Sequence, residues 1–390
     1  MLIPKGYRFA GIHCGLRANE PGRLDLALVV SETPAAAAGV FTQNRVAAAP
    51  VHVCKERLPR ADARGFVVCS GNANACTGEQ GLRDARQMAE LAARQIGCGP
   101  EQMLVASTGV IGRPLPMAAF ETGIPAAAKA LAPDSSHFEA AATAILTTDT
   151  RIKTSFKQVG PHAVAGFAKG AAMIGPNMAT MLGFVLTDAA VRPEDLQLIL
   201  REAVTGTFNC ISVEGHTSTN DTVLILANGA GPTLSGGKLT EFAAATTEVC
   251  TELARAIAAD AEGAEHLVVI DVEGCRNDAE AKTIAKTIAE SALVKSAIYG
   301  ADPNWGRFVS AAGYSGIAFG EADLTLWMGP FELYRAGVPL PFDAKPVSAY
   351  LRENREVQLR LKFALGTGRC RFYTCDLTPE YVRLNADYTT

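Results

Sequence analysis

The chain is sparing with charge and with the residue spacings that mark most catalytic chemistries. Only 19% of its 390 residues are Asp, Glu, Lys or Arg, and these nearly cancel to a formal net charge of −4. Apolar residues reach 48%, so the chain has ample surface to bury and intrinsic disorder is excluded. No run of Lys or Arg exceeds two residues and no basic stripe stands out, which argues against nucleic acid as a partner. No window of about 18 apolar residues occurs, so no membrane-spanning helix is expected. The opening residues hold neither a signal-peptide apolar core nor an amphipathic presequence. The ten cysteines never fall in a CxxC spacing, and most sit in apolar runs such as Gly-Phe-Val-Val-Cys69. A reduced, cytoplasmic protein without structural zinc is therefore expected. Six isolated histidines form no HxxH or HExxH pair, which speaks against metal catalysis. The P-loop and dinucleotide fingerprints are also missing, so no cofactor is expected.

What is present is an alternation of short β-rich runs with helical stretches, which predicts an α/β or α+β layered fold. Strands are expected at 24–31, 66–70, 103–107, 181–187, 222–227, 267–272, 357–363 and 371–377, each rich in Val, Ile, Leu or Phe and bounded by turn-forming residues. Helices are expected at 81–96, 117–131, 138–147, 193–204, 239–261 and 277–292. No Ser/Gly linker divides the chain. The clearest change of composition is the Gly/Ala/Met-rich stretch 160–179, and a softer boundary falls near 280.

Three segments could carry chemistry. Ser107-Thr-Gly-Val-Ile-Gly-Arg-Pro114 follows a strand, and its glycines leave backbone N–H groups free to face a ligand oxygen, as in an oxyanion hole. An ordinary strand-to-helix turn reads the same way. In Lys169-Gly-Ala-Ala-Met-Ile-Gly-Pro-Asn-Met-Ala-Thr180-Met-Leu182, Thr180 is either a plain strand former or a hydroxyl poised to attack the Ala179–Thr180 bond. An N→O acyl shift and hydrolysis would release Thr180 as a new N-terminus. Its Oγ would then be the nucleophile and its own α-amine the base, with an amine pKa of about 7.7–8.0 close to working pH. The polar run Asn209–Thr222 contains Ser212, His216, Ser218 and Asp221, but their closeness in sequence is more economically read as turn capping than as a triad.

The first two segments, together with Ser70-Gly-Asn-Ala-Asn-Ala-Cys-Thr-Gly78, Asp260-Ala-Glu-Gly263, Ala301-Asp-Pro-Asn-Trp-Gly-Arg307 and Asn385-Ala-Asp-Tyr-Thr-Thr390, resemble the ornithine acetyltransferase (glutamate N-acetyltransferase) family of arginine biosynthesis. The matches run from end to end. Ala171-Ala172 departs mildly from a more Ser/Gly-rich version. The resemblance implies self-cleavage between Ala179 and Thr180 into chains 1–179 and 180–390 that stay together, typically as α2β2. It implies a fold shared with DmpA-like, self-processing aminopeptidases. Thr180 would be the nucleophile, Thr108 and Gly109 would stand at the oxyanion hole, and Thr147, Lys169, Thr180, Glu262, Asn385 and Thr390 would bind the substrate. The implied reaction is ping-pong acetyl transfer from N2-acetyl-L-ornithine to L-glutamate. Acetyl-CoA as a second acetyl donor stays open, and an aminopeptidase or amidohydrolase using the same threonine is the alternative function.

Overall fold

The computed structural model describes residues 2–17, 20–175, 181–232, 234 and 237–387. Among the described residues, the first sheet is made of β1 (Tyr7–Ile12), β2 (Leu26–Phe41), β3 (Arg60–Asn72), β4 (Met103–Val110), β5 (Lys153–Val159), β6 (His162–Lys169), β7 (Leu182–Thr187) and β8 (Thr222–Ala227). They pair in the order β4-β3-β2-β8-β7-β6-β5, with β1 on β2. The pairs β3/β4 and β7/β8 are parallel. The sequence foresaw five of these eight strands. It passed over β1, β5 and β6, where the runs are mixed or small-residue; it read the starts of β2, β4, β7 and β8 to within two residues, but missed the first six residues of β3 and the second half of β2.

The long strand β2 decides the shape. Its first part pairs with β1 and β3, its last part with β8, and the ladder to β3 shifts register around Pro34. The sheet folds there, and its two halves face each other: Phe66 on β3 stacks on Phe184 of β7 with ring centroids 4.4 Å apart. Strands β6 to β8 alternate accordingly. Phe167, Phe184, Leu186, Leu224 and Leu226 point into the core between the halves, and Val164, Val185, Val223 and Ile225 point the other way.

Helices α1 (Ala49–Arg57), α2 (Gly78–Ile96) and α3 (Met117–Lys129) cover the outer face of the first half, and α4 (Ser135–Ala144) wedges Phe138 between Phe9 and Phe167. α5 (Pro193–Gly206) and α6 (Lys238–Ala259) cover the second half. α5 opens with Pro193, Glu194 and Asp195, a start that suits both the fixed proline φ and the helix dipole. α2 stops at Gly97, which takes the left-handed conformation at φ 72°.

Within the stretch 160–179 that marks the clearest change of composition, residues 162–169 form a fully buried strand, β6. Its small residues are a packing demand. A Cβ on Gly166 would stand 2.7 Å from Val249 and 2.9 Å from Leu253 of α6, so only glycine lets the helix lie this close.

A second sheet, β9 (Leu267–Cys275), β10 (Leu324–Met328), β11 (Phe331–Arg335), β12 (Val338–Pro339), β13 (Glu356–Phe363) and β14 (Gly368–Cys375), packs one face on α6. Its other face is covered by α7 (Asp278–Glu290), α8 (Ala292–Tyr299), α9 (Trp305–Gly313) and α10 (Ala344–Glu353), and the chain finishes in α11 (Pro379–Asp387). None of the helices among the described residues is long and apolar enough to cross a membrane.

Candidate active site

Folding the first sheet on itself brings the end of β4 in one half against the end of β6 in the other. Lys169 closes β6, and its Nζ lies 3.4 Å from Thr108 Oγ1 on β4. Between them opens a cavity of about 710 Å³, within the size range of small-molecule sites. Its lining includes Thr108, Gly109, Thr147, Lys169, Glu262 and Asn385, so all six of the described candidate residues face one space. Ala179, Thr180 and Thr390 lie outside the described residues. Leu182, the first residue of β7, is in register with Lys169, so the chain enters β7 beside the cavity.

The Gly-rich turn after β4 is pinned by close backbone contact. Gly109 has φ 133°, and a Cβ there would stand 2.3 Å from the Gly71 carbonyl carbon, a position open to glycine alone. Asn220, just before β8, stitches the turn to the opposite half: its Nδ2 donates to the carbonyls of Ala73 at 2.6 Å and Ser107 at 2.8 Å. Asn220 and its neighbours Ser218 and Thr219 also line the cavity, as do Arg17, Glu20 and Arg113. Sequence reasoning did not select Arg17 or Glu20, because a lone charge between two strands has no spacing to betray it.

The site carries both signs of charge. Lys169 is fully buried, and burial pulls its ammonium below the usual lysine range while the Asp149 carboxylate opposes that pull. Glu262 is held up from its ordinary value by burial, against the Asn385 amide and the Lys169 charge. Asn385 Nδ2 on α11 donates to Glu262 Oε2 at 3.2 Å. Arg17 donates to Glu20 at 3.3 Å and to the Leu146 carbonyl. A ligand with a carboxylate at one end and an ammonium at the other finds partners for both.

The Ser212, His216 and Asp221 set does not assemble. His216 is exposed, and the Ser212 hydroxyl donates to Ile174 and Glu290. Asp221 is fully buried. Its Oδ1 accepts the Met181 N–H at 3.1 Å, and its Oδ2 has no hydrogen-bond partner among the described residues. Burial holds this carboxyl well above its ordinary value against the Met181 amide and the Lys169 charge.

A concave, two-signed cavity between the halves of an α/β fold is the kind of site in which enzymes hold a small polar molecule. Comparison with known proteins gives the particular kind. A family profile described as "ArgJ family" matches residues 8–390, and the chain belongs to that family. The arginine biosynthesis bifunctional protein ArgJ of Synechococcus sp. is 47% identical, over 100% of this chain and 97% of its own length. The protein of the same name from Geobacter sulfurreducens is 45% identical, over 99% of each chain. Among solved structures, the arginine biosynthesis bifunctional protein ArgJ of Bacillus halodurans is 41% identical with a TM-score of 0.51. That match covers 98% of the solved chain but 53% of this one.

Proposed function

We propose that this enzyme moves an acetyl group from N2-acetyl-L-ornithine to L-glutamate through an ester on Thr180, after cutting itself between Ala179 and Thr180. The observation that carries the reading is the joint exposure of Lys169, Glu262, Thr108 and Gly109 to one cavity at the point where the chain enters β7. The half-length chain of the solved relative supports a cut near the middle, into chains 1–179 and 180–390. These remain together, as α2β2, and act in the cytoplasm without a metal or cofactor.

In the first half-reaction Thr180 Oγ attacks the acetyl carbonyl while the Thr180 α-amine takes the hydroxyl proton. Donors at Thr108 and Gly109 hold the oxyanion that forms; one such donor is typically worth about 10²–10³ in rate. The amide C–N bond breaks, the α-ammonium returns its proton to the leaving amine, and ornithine departs. The α-amine of glutamate then attacks the ester, and Thr180 recovers its hydroxyl. Lys169 takes the α-carboxylate common to both substrates, Glu262 faces their amino groups, and Thr147, Asn385 and Thr390 complete the pocket. The relatives' names carry the word bifunctional, which supports a second activity; we take it to be acetylation of glutamate from acetyl-CoA.

The Thr180→Ala variant tests the reading. It should stay full length on a denaturing gel and transfer no acetyl group, while the parent chain resolves into two fragments, one of which begins with Thr180 by mass spectrometry. Efficient cleavage of the variant, or a parent enzyme that hydrolyses N-acetylornithine as fast without glutamate as with it, would overturn it. Incubation with acetyl-CoA and glutamate alone decides the second activity.

A further inference from the structure

Behind the cavity wall lies a group of buried charges that touches no part of the open space. Asp149 and Lys153 have fully buried side chains, and Asp260 is 5% exposed. Lys153 Nζ donates to Asp149 Oδ1 and to Asp260 Oδ2, both at 2.6 Å. Asp149 Oδ1 also accepts the Gly170 N–H at 2.6 Å, and its Oδ2 accepts the Thr147 N–H at 3.0 Å. Asp260 accepts the Thr150 N–H at 3.1 Å and the Thr150 hydroxyl. Two residues on, the Glu262 N–H reaches the Ala171 carbonyl at 2.9 Å.

These bonds join three segments distant in sequence. The loop after α4 carries Thr147, the end of β6 carries Lys169, and the turn after α6 carries Glu262. Burying three charges is costly, and an aliphatic replacement would often be as stable. The arrangement is explained by what it does to the wall it backs.

We propose that Asp149 is a positioning residue that, through the Thr147 and Gly170 N–H groups, fixes Thr147 and Lys169 in one geometry and sets its negative charge behind Lys169, which faces the carboxylate of an amino-acid ligand. The choice of ligand rests on the acetyl-transfer reading above; the coupling of Asp149 to Lys169 does not. The charges that act on Lys169 come from several elements: Asp149 and Asp221 favour its ammonium, whereas Lys153 and Arg17 oppose it. Glu262 lies across the cavity and is itself drawn down by Lys169. Asp149 shows the reciprocal effect. Burial alone would raise its carboxyl, yet Lys169, Lys153 and the Gly170 N–H bring it well below the ordinary carboxylate range.

The test is calorimetric binding of L-ornithine to the full protein between about pH 6.5 and 9.5, beside acetyl transfer in the same preparations. Ligand titration is common to all samples, so differences between variants report the protein. Asp149→Asn keeps an oxygen acceptor and removes the charge. It should weaken binding about tenfold at pH 8, with affinity falling off at least about one pH unit lower than in the parent. Adding Lys169→Arg, whose guanidinium does not deprotonate in this range, should abolish that earlier fall. Should Asp149→Asn fail to fold by circular dichroism, Asp149→Glu keeps the charge: it should weaken binding with the pH at which affinity falls unchanged. The inference is overturned by equal weakening at every pH in Asp149→Asn, by an acid shift in Asp149→Glu, or by a parent protein that does not bind ornithine. A parent that binds ornithine with the expected shifts but transfers no acetyl group overturns the acetyl-transfer reading and leaves this inference standing.

Discussion

The two sheets solve the problem of folding with different chemistry. The second sheet and its helices bury a largely aliphatic core, Ile270, Ile284, Ile288, Leu326, Leu359 and Leu361 among them, and β13 alternates exposed and buried along its length. Among its few buried charged groups, His266 pairs with Asp376 at 2.7 Å, and Lys295 Nζ is held by Thr374 Oγ1 and the Cys375 carbonyl. The folded first sheet instead buries Asp149, Lys153, Lys169 and Asp221, of which Lys169 lines the cavity, and Asp221 Oδ2 has no hydrogen-bond partner among the described residues. Burial of charge is expensive, and this region concentrates it next to the cavity. Both regions supply cohesion, and on the proposed function the first adds the chemistry.

This contrast can be broken at the cavity first. Gly109→Val would drive side-chain atoms into the backbone at Gly71 and displace the end of β4. Acetyl transfer should fall by about 10²–10³ or more, the scale of a lost oxyanion donor. Steady-state kinetics checks it, and a variant with unchanged kcat would show that this turn does no chemical work.

The opposite expectation holds across the molecule. Ile284 on α7 is fully buried in the second sheet's core. Ile284→Ala should cost about 2–5 kcal/mol in denaturant unfolding while kcat below the melting range stays within about twofold. A large kcat loss with little destabilisation would erase the division between the two regions.

A smaller effect probes the seam between them. Glu214 accepts the Ile174 N–H and braces the loop that carries Met173 into the cavity. Burial pushes its carboxyl up to about 7, against the N–H groups of Ile174, His216 and Met173 and the Lys295 charge. The unfolded chain ionises this group near pH 4.5, so folded stability falls as pH rises from there to about 7 and stays reduced above it. Glu214→Gln should therefore match the parent near pH 4.5 and exceed it by about 1–2 kcal/mol at pH 8, the partial solvent contact of the side chain reducing the full linkage value. Thermal melts at the two pH values measure it; a variant less stable at pH 8 would mean that the ionised form is the one the fold prefers.

The strands legible in the sequence are those whose Val, Ile and Leu runs stand between turn residues, as Thr222–Ala227 does from end to end. β6 was not legible, since Ala and Gly carry little β signal and the reason for them is the nearness of α6. Among the candidate site residues, Thr108, Gly109, Thr147, Lys169, Glu262 and Asn385 could be named from motif resemblance, and they share one cavity. Asp149 and Lys153 could not. A buried carboxylate and a surface one look alike in a string of letters.

Local order was thus written into the chain: the period of its apolar residues, its caps and its glycine turns act over a few positions and need no distant partner. The bend of β2, the meeting of β4 with β6 and the charges locked behind Lys169 belong to the tertiary structure, because field strength and close approach depend on distances in space that residues far apart in sequence acquire only when the sheet closes on itself.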